Sequence, residues 1–377
     1  MTSIRTVLIV GGGIAGLTAA THLARQGVAV EVLELHDRPA GAAITIQNRA
    51  VDGLQEIGVL DRFLEEGVPR TSHDFFAYVD AAGDPVPTPP LPPRPETDLP
   101  QAIVIHRVPL AKILRQAAED AGVTVRVGLT VDALEQNHDS VTATLTDGST
   151  RTYDLVVGAD GVRSKTRGLV FGDEVVPRYS GTTMFRWIVP GVADVGPVGF
   201  YQSKFALIVI ARLRDGSVYL ATGRHYAEKP GFLQPDQARA IVRENLESFT
   251  APLMVELRKH LTDEAFVVVN DYDWLLAPNP WHRGRVLLIG DAAHATTATL
   301  ASGGGMAIED AVVLGQEVAA GGPVDEVLGR FMKRRFERAR LVVETSVELD
   351  RMLQRNDPIP PQNELRAHAM GVLASPY

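Results

Sequence analysis

"TVLIVGGGIAGLTAA", Thr6–Ala20, decides the fold. Thr6–Val10 is an apolar β run, as expected of a strand buried on both faces of a parallel sheet. The glycines that follow give Gly11, Gly13 and Gly16 the GxGxxG spacing. They lead into a helix expected over about Ile14–Gln26, which Gly27 stops. "VAVEVL", Val28–Leu33, is a second strand and completes a βαβ unit. Gly11 permits a tight turn, Gly13 admits backbone to a pyrophosphate, and Gly16 lets helix and strand pack closely. The helix N-terminus turns free N–H groups and its positive dipole end toward phosphates. Glu34 ends the second strand, where a carboxylate can accept both hydroxyls of a ribose. A lone GxGxxG also serves helix packing. Strand, helix and acid in register favour dinucleotide binding, and leave FAD and NAD undistinguished.

The chain has 377 residues, enough for two or three domains, and a formal net charge of −9. That acidic balance argues against a nucleic-acid partner, which needs clustered Lys and Arg. Without cysteine, the chain has no disulfides, thiolate metal sites, iron–sulfur clusters or Cys nucleophile. The ten histidines show no metal-ligand spacing, so no metal site is expected. Glycines interrupt the apolar N-terminal stretch and no later run approaches a membrane span. A cytoplasmic protein without membrane contact is expected.

Beyond the first unit, residues 35–70 read as mixed loop and helix. The proline-rich Asp84–Pro100 reads as an extended loop or strand-edge excursion. A helix is expected at about Val108–Ala121. Residues 179–225 change character: "TTMFRWIVP", "FALIVIARL" and "SVYLATGRH" alternate as strands between Gly, Pro and Asp turns. This predicts an inserted antiparallel or mixed sheet. The C-terminal third reads as mostly helical, ending in a polar, proline-containing tail.

Two later stretches follow buried strands. "VVGADGVRSKTR", Val156–Arg167, alone fits any strand–turn–helix. "IGDAAHATTATLASGGGMAIEDA", Ile289–Ala311, puts Asp291 at a carboxyl-end crevice where such sheets bind ligands. A turn or capping aspartate would look the same. Taken in order, GxGxxG, GADGxRSxxR and GDAAH…GGGxxxAIEDA resemble the class A flavoprotein monooxygenases, the para-hydroxybenzoate hydroxylase family. The resemblance spans about residues 5–345 and is nearest in texture to the urate and salicylate hydroxylase branch.

The resemblance implies an α/β fold: a Rossmann-like (GR2-type) FAD-binding domain, an inserted mixed β-sheet substrate domain and C-terminal helices. Residues 1–70, 101–178 and 280–345 would form the first, 71–100 and 179–279 the second, and 346–377 a C-terminal helix and tail. It implies that Gly11, Gly13, Ile14, Ala15 and Gly16 hold the FAD pyrophosphate region and Glu34 the adenosine ribose. Arg107 would contact the cofactor and Val131 would pack near adenine. Asp160 and Arg163 belong to a motif associated with both FAD and NAD(P)H. Asp291 would bond the ribityl chain, and Gly303, Gly304, Gly305 and Met306 would approach the isoalloxazine. A helix opening there aims its amides and dipole at the charge of reduced flavin, and Glu309 and Asp310 suit that dipole. Ala43 lies where hydroxybenzoate-type relatives carry a cofactor-binding arginine, so NADH and NADPH stay undistinguished.

The activity implied is an FAD-dependent monooxygenase that consumes NADH or NADPH and O2. It would insert one oxygen atom into an aromatic or heteroaromatic small molecule through a flavin C4a-hydroperoxide. Alternatives are an epoxidase or oxidase on the same scaffold, or a non-catalytic nucleotide-binding protein. Pocket candidates are Gln47, over the flavin in relatives, and Phe185, Arg186, Trp187, Tyr201, Phe205 and Tyr219 of the inserted sheet. Ala298 replaces a proline found in many relatives, which predicts a looser loop beside the flavin. Phe205 falls where urate hydroxylases carry a substrate-binding arginine, favouring a less polar substrate. No catalytic base stands out. A monomer or homodimer is expected.

Overall fold

The computed structural model describes residues 4–36, 41–71, 78–87 and 97–377. Its first layer is a six-stranded sheet in the order 282–283, 286–288, 155–158, 6–10, 29–34, 124–127. All its neighbours run parallel except the outermost 282–283/286–288 pair. Val7–Val10, Leu155–Gly158 and Val286–Leu288 are buried on both faces, which is why they read as unbroken apolar runs. The helices Ile14–Arg25, Arg107–Asp120 and Gly303–Ala320 contribute to the main apolar core of this layer. Strand order reverses at Thr6–Val10, flanked by Ala29–Glu34 and Leu155–Gly158. Because the strands are parallel, Gly11, Glu34, Asp160 and Asp291 all follow carboxyl ends on one edge of the sheet, at the switch point where ligands bind.

The second layer is a seven-stranded mixed sheet in the order 268–274, 178–189, 218–225, 207–212, 199–202, 78–79, 85–86. It is antiparallel except where Gly199–Gln202 pairs parallel with Tyr78–Val79. Its two faces divide by simple alternation. Phe185, Trp187, Val189, Tyr201, Ile208 and Leu220 point one way and form a second core under the helices Pro235–Glu247 and Pro252–His260. Met184, Arg186, Tyr219, Val209 and Phe200 alternate with them and face the other way, toward the first layer. Two small three-stranded sheets complete the fold, one pairing Ala43–Gln47 and Val68–Arg70 with Ala102–His106.

The segment read as mixed loop and helix contains two helices, Arg49–Glu56 and Leu60–Glu66. The proline-rich stretch shows a two-residue strand, Pro85–Val86, and its residues 88–96 lie outside the described residues. Two corrections fall at the C-terminus. No break separates residues 345 and 346, since one helix runs Val324–Gln354. The expected tail is a second helix, Ile359–Ala374, whose prolines sit in its first turn, where no backbone donor is needed. Its Ala369, Met370 and Leu373 pack into a core with Leu300, Met306 and Leu349.

Candidate active site

The glycine turn is built by close contact. Gly11 has φ +111°, donates its N–H to Leu33 O at 2.8 Å, and lies against Ala159 so tightly that a Cβ would come within 2.3 Å of the Ala159 oxygen. A Cβ on Gly16 would sit 1.8 Å from Gly11 O, so the helix can start only with glycine there. A Cβ on Gly13 would meet no protein atom within 4 Å: this residue borders open space at the helix N-terminus. Ile14 is half-buried beside it, whereas Ala15 is buried and its methyl lies near the Gly290 turn. Glu34 accepts from Gly12 N–H (2.7 Å) and His36 N–H (2.8 Å), which holds its carboxylate beside the turn.

The second motif folds as a strand, a turn and a helix. The Asp160 carboxylate accepts from Thr166 N–H (2.9 Å), the Thr166 hydroxyl (3.0 Å) and the Ser164 hydroxyl, so it fastens the start of the Lys165–Phe171 helix. Arg163 is exposed. Arg167, which sequence reasoning passed over, is the motif's connecting residue. It is buried and donates to Val162 O (2.8 Å), Val175 O (2.9 Å) and Ala292 O (3.0 Å), tying this turn to the one carrying Asp291. The Val131 side chain is fully buried among Leu8, Val10 and Leu33.

Asp291 opens a short helix, Asp291–His294, after Gly290. Its carboxyl is raised above the ordinary range, first by the density of protein around it, against the charges of His294 and Arg107. Solvent still reaches it. Arg107 interacts with its charge: burial and the neighbouring Arg186 charge lower the guanidinium, and Asp291 offsets them. Neither side chain has a hydrogen-bond partner among the described residues. Ala43 begins the adjacent strand and packs with Val104 and Leu213.

The triglycine helix, Gly303–Ala320, starts in the same place. Its first N–H with a backbone acceptor is that of Met306, bonded to Ser302 O at 2.9 Å; the amides of Gly303, Gly304 and Gly305 have no acceptor among the described residues and are open to a ligand. A Cβ on Gly304 would come within 2.7 Å of Ile44 and 3.6 Å of Ile14, which places this N-terminus beside the first glycine turn. Gln47 is 3% exposed and donates to Leu300 O (2.8 Å), Ala301 O (3.1 Å) and Ser302 Oγ (2.9 Å), while its buried Oε1 has no partner among the described residues. Thr297 and Thr299 both donate to Ser346 O, at 2.9 and 2.6 Å. The loop expected to be loose is therefore tied at both ends despite having Ala298 in place of proline.

Behind this helix lies a buried ionic network. Asp310 accepts from Gly290 N–H (2.8 Å) and Arg335 (2.8 Å) and bonds His294 Nε2 (2.6 Å). Glu309 pairs with Arg335 (2.7 Å) and Arg338 (2.6 Å). The reading of Glu309 and Asp310 as dipole partners missed this. Basic residues Arg335 and Arg338, three apart on a helix, were its sequence trace.

A cavity of about 870 Å³ lies between the other face of the seven-stranded sheet and the elements that cover it. Met184, Phe200, Leu207, Val209 and Ala221 wall it, Ala298 and Thr299 border it from the loop before the triglycine helix, and Gln362 and Arg366 from the last helix. Phe205, 85% exposed, stands on its rim. Phe185 and Tyr201 are corrected as pocket residues, and Trp187 with them. They occupy the opposite face, where the Tyr201 hydroxyl bonds Pro197 O at 2.6 Å. Arg186 and Tyr219 are on the cavity's side of the sheet but toward Arg107. Arg186 bonds Asn270 (2.9 Å) and lies over the Tyr272 ring at 5.7 Å.

Cradled glycines, free helix amides, an unpaired cation and carboxylate and an orphaned Gln47 oxygen fit a long, anionic, ring-bearing dinucleotide. The fold and site define a flavin-binding oxidoreductase. Residues 5–346 match the family model described as an FAD binding domain. The chain is 30% identical to the 2-heptyl-3-hydroxy-4(1H)-quinolone synthase of Pseudomonas aeruginosa, over 94% of this chain and 91% of that protein. It is likewise 30% identical to the aurachin C monooxygenase/isomerase of Stigmatella aurantiaca, over 93% and 90%. An FAD complex of a Klebsiella pneumoniae HpxO variant superposes with a TM-score of 0.82 at 26% identity, covering 96% of this chain and 94% of that one. The chain belongs to the FAD-dependent aromatic monooxygenase family. Among the described residues, no helix is long and apolar enough to cross a membrane.

Proposed function

We propose that this protein inserts one atom of O2 into an aromatic substrate larger than a single ring, with NADH or NADPH as the electron source. The observation that carries this is the cavity itself. It opens against Ala298 and Thr299, just before the free amides of the triglycine helix, and its volume is in the upper part of the ~300–1,000 Å³ usual for small-molecule sites. The quinolone named for one relative is of the same kind.

Bound FAD would supply the electron transfer and oxygen activation. The chain's own residues hold and shield it. The Gly11–Gly16 turn would take the pyrophosphate, Glu34 a ribose, and Asp291 and Arg107 the ribityl region. The amides of Gly303, Gly304 and Gly305 would steady negative charge at the ring. Met184, Phe200, Leu207 and Val209, which wall the cavity, would keep water from the reacting face and so limit fruitless release of hydrogen peroxide.

The test is turnover by purified holoenzyme against mono- and bicyclic aromatics, with NADH and NADPH in parallel and 18O2 as oxygen source. At least one bicyclic compound should accelerate nicotinamide oxidation and gain one 18O. No acceleration and no labelled product from any aromatic would reject the proposal. An epoxide product would move it to the epoxidase alternative.

A further inference from the structure

One polar chain in this cavity is absorbed by neither the cofactor nor the apolar walls. His225 ends the strand Val218–His225, and its Nδ1 lies 3.0 Å from Thr182 Oγ1 on the paired strand. Thr182 in turn donates its hydroxyl proton to Asp350 Oδ1 at 2.9 Å. Asp350, on the long helix, is 2% exposed and is also reached by Gln354 Nε2 at 3.2 Å. All three of His225, Thr182 and Asp350 line the cavity.

The arrangement fixes a tautomer. Thr182 has one hydroxyl proton and gives it to Asp350, so its oxygen can only accept from His225. His225 must therefore carry its proton on Nδ1. Nε2 is left with a free lone pair. Burial lowers the imidazole's affinity for a proton, with Asp350 and Gly181 opposing, which favours the neutral ring. The other charged pair on the cavity wall, Arg224 and Glu244, is self-satisfied at 2.6 Å.

We infer that His225 Nε2 is the substrate's proton acceptor, and that the pocket selects aromatics bearing an ionisable O–H or ring N–H. This rests on the cavity being the substrate site, as proposed above. In the step, the O–H or N–H bond breaks, its electron pair stays on the substrate as an electron-rich anion, and the proton moves to Nε2. The imidazolium formed is stabilised through Thr182 by the buried Asp350 carboxylate. An anionic ring is the better target for electrophilic oxygen.

Two measurements on oxidised holoenzyme test this without turnover, so they can fail independently of the hydroxylation reading. Histidine-selective 15N NMR, with His225 assigned from a His225→Gln variant, should show the Nδ1–H tautomer. Thr182→Val should shift it toward Nε2–H. Equilibrium binding is then compared for 4-hydroxyquinoline and 1-naphthol against their methyl ethers. At least one hydroxyl compound should bind about tenfold tighter than its ether. His225→Gln and Asp350→Asn should reduce that preference. An Nε2–H ring in the wild type, no hydroxyl preference in either pair, or a preference that survives His225→Gln overturns the inference.

Discussion

Gly16 and Gly11 approach so closely that one methyl group decides whether the first turn forms. A Cβ 1.8 Å from a carbonyl oxygen must displace either the strand end or the helix start. Gly16→Ala is expected to cost about 1–3 kcal/mol or more by overpacking. It should also lower retained flavin, read as the ratio of visible to protein absorbance after gel filtration. Phe205 and Tyr201 make a second contrast, since the sequence proposed both as pocket residues. Tyr201 is buried with Phe249 at a ring distance of 6.4 Å, so Tyr201→Ala should lose about 3–5 kcal/mol in urea unfolding. Phe205 is exposed on the rim, so Phe205→Ala should change stability by under about 0.5 kcal/mol and raise KM for a bicyclic substrate. The alternation that puts them in different settings was readable. Which face looked toward the flavin was not, because both faces of this sheet are covered by other elements.

At the level of elements, the loop from Thr297 to Ser302 and the helix after it act together. Thr297 is extended at ψ 156°, the conformation required before proline, and Ala298 starts a short 3-10 turn. Ala298→Pro should therefore fit and stabilise by about 0.4–1 kcal/mol, measured as a raised unfolding midpoint. The same helix carries Asp310. Burial would raise its carboxyl, but His294, Arg335 and the Gly290 amide hold it at about 2. A depressed folded-state value stabilises above the ordinary 3.8, and that contribution is lost as pH falls from 3.8 toward 2. About 2 kcal/mol should disappear across that window, and an Asp310→Asn variant should lack this acid-dependent part. The GDAAH and AIEDA motifs were legible as cofactor sequence. Their mutual bond was not, since His294 and Asp310 meet only when a strand end and a helix start are brought together.

Across the whole molecule, the C-terminal helix is a wall of the site. Ile359–Ala374 supplies Gln362 and Arg366 to the cavity, and Met370 and Leu373 to the core shared with Met306. Deleting residues 356–377 should cost roughly 2–5 kcal/mol for each large buried side chain removed. A lowered melting temperature and weakened binding of bicyclic aromatics should accompany it. A chain that bound them unchanged would show that the cavity closes without this helix.

The sequence by itself determined the parallel core, the dinucleotide turn and the family. Each rests on short-range spacing, which local sterics and hydrogen bonding enforce: glycines where backbones touch, apolar runs where both faces are covered, an acid at a strand end. Tertiary structure alone decided which side of the inserted sheet forms the pocket, that Asp160 fastens a helix while Arg167 joins two motifs, and that His225, Thr182 and Asp350 form one chain. Those three come from two strands and a helix, and nothing local holds them together. Their meeting depends on how the sheet packs against the long helix, a choice made by the sum of buried contacts rather than by any one stretch of residues.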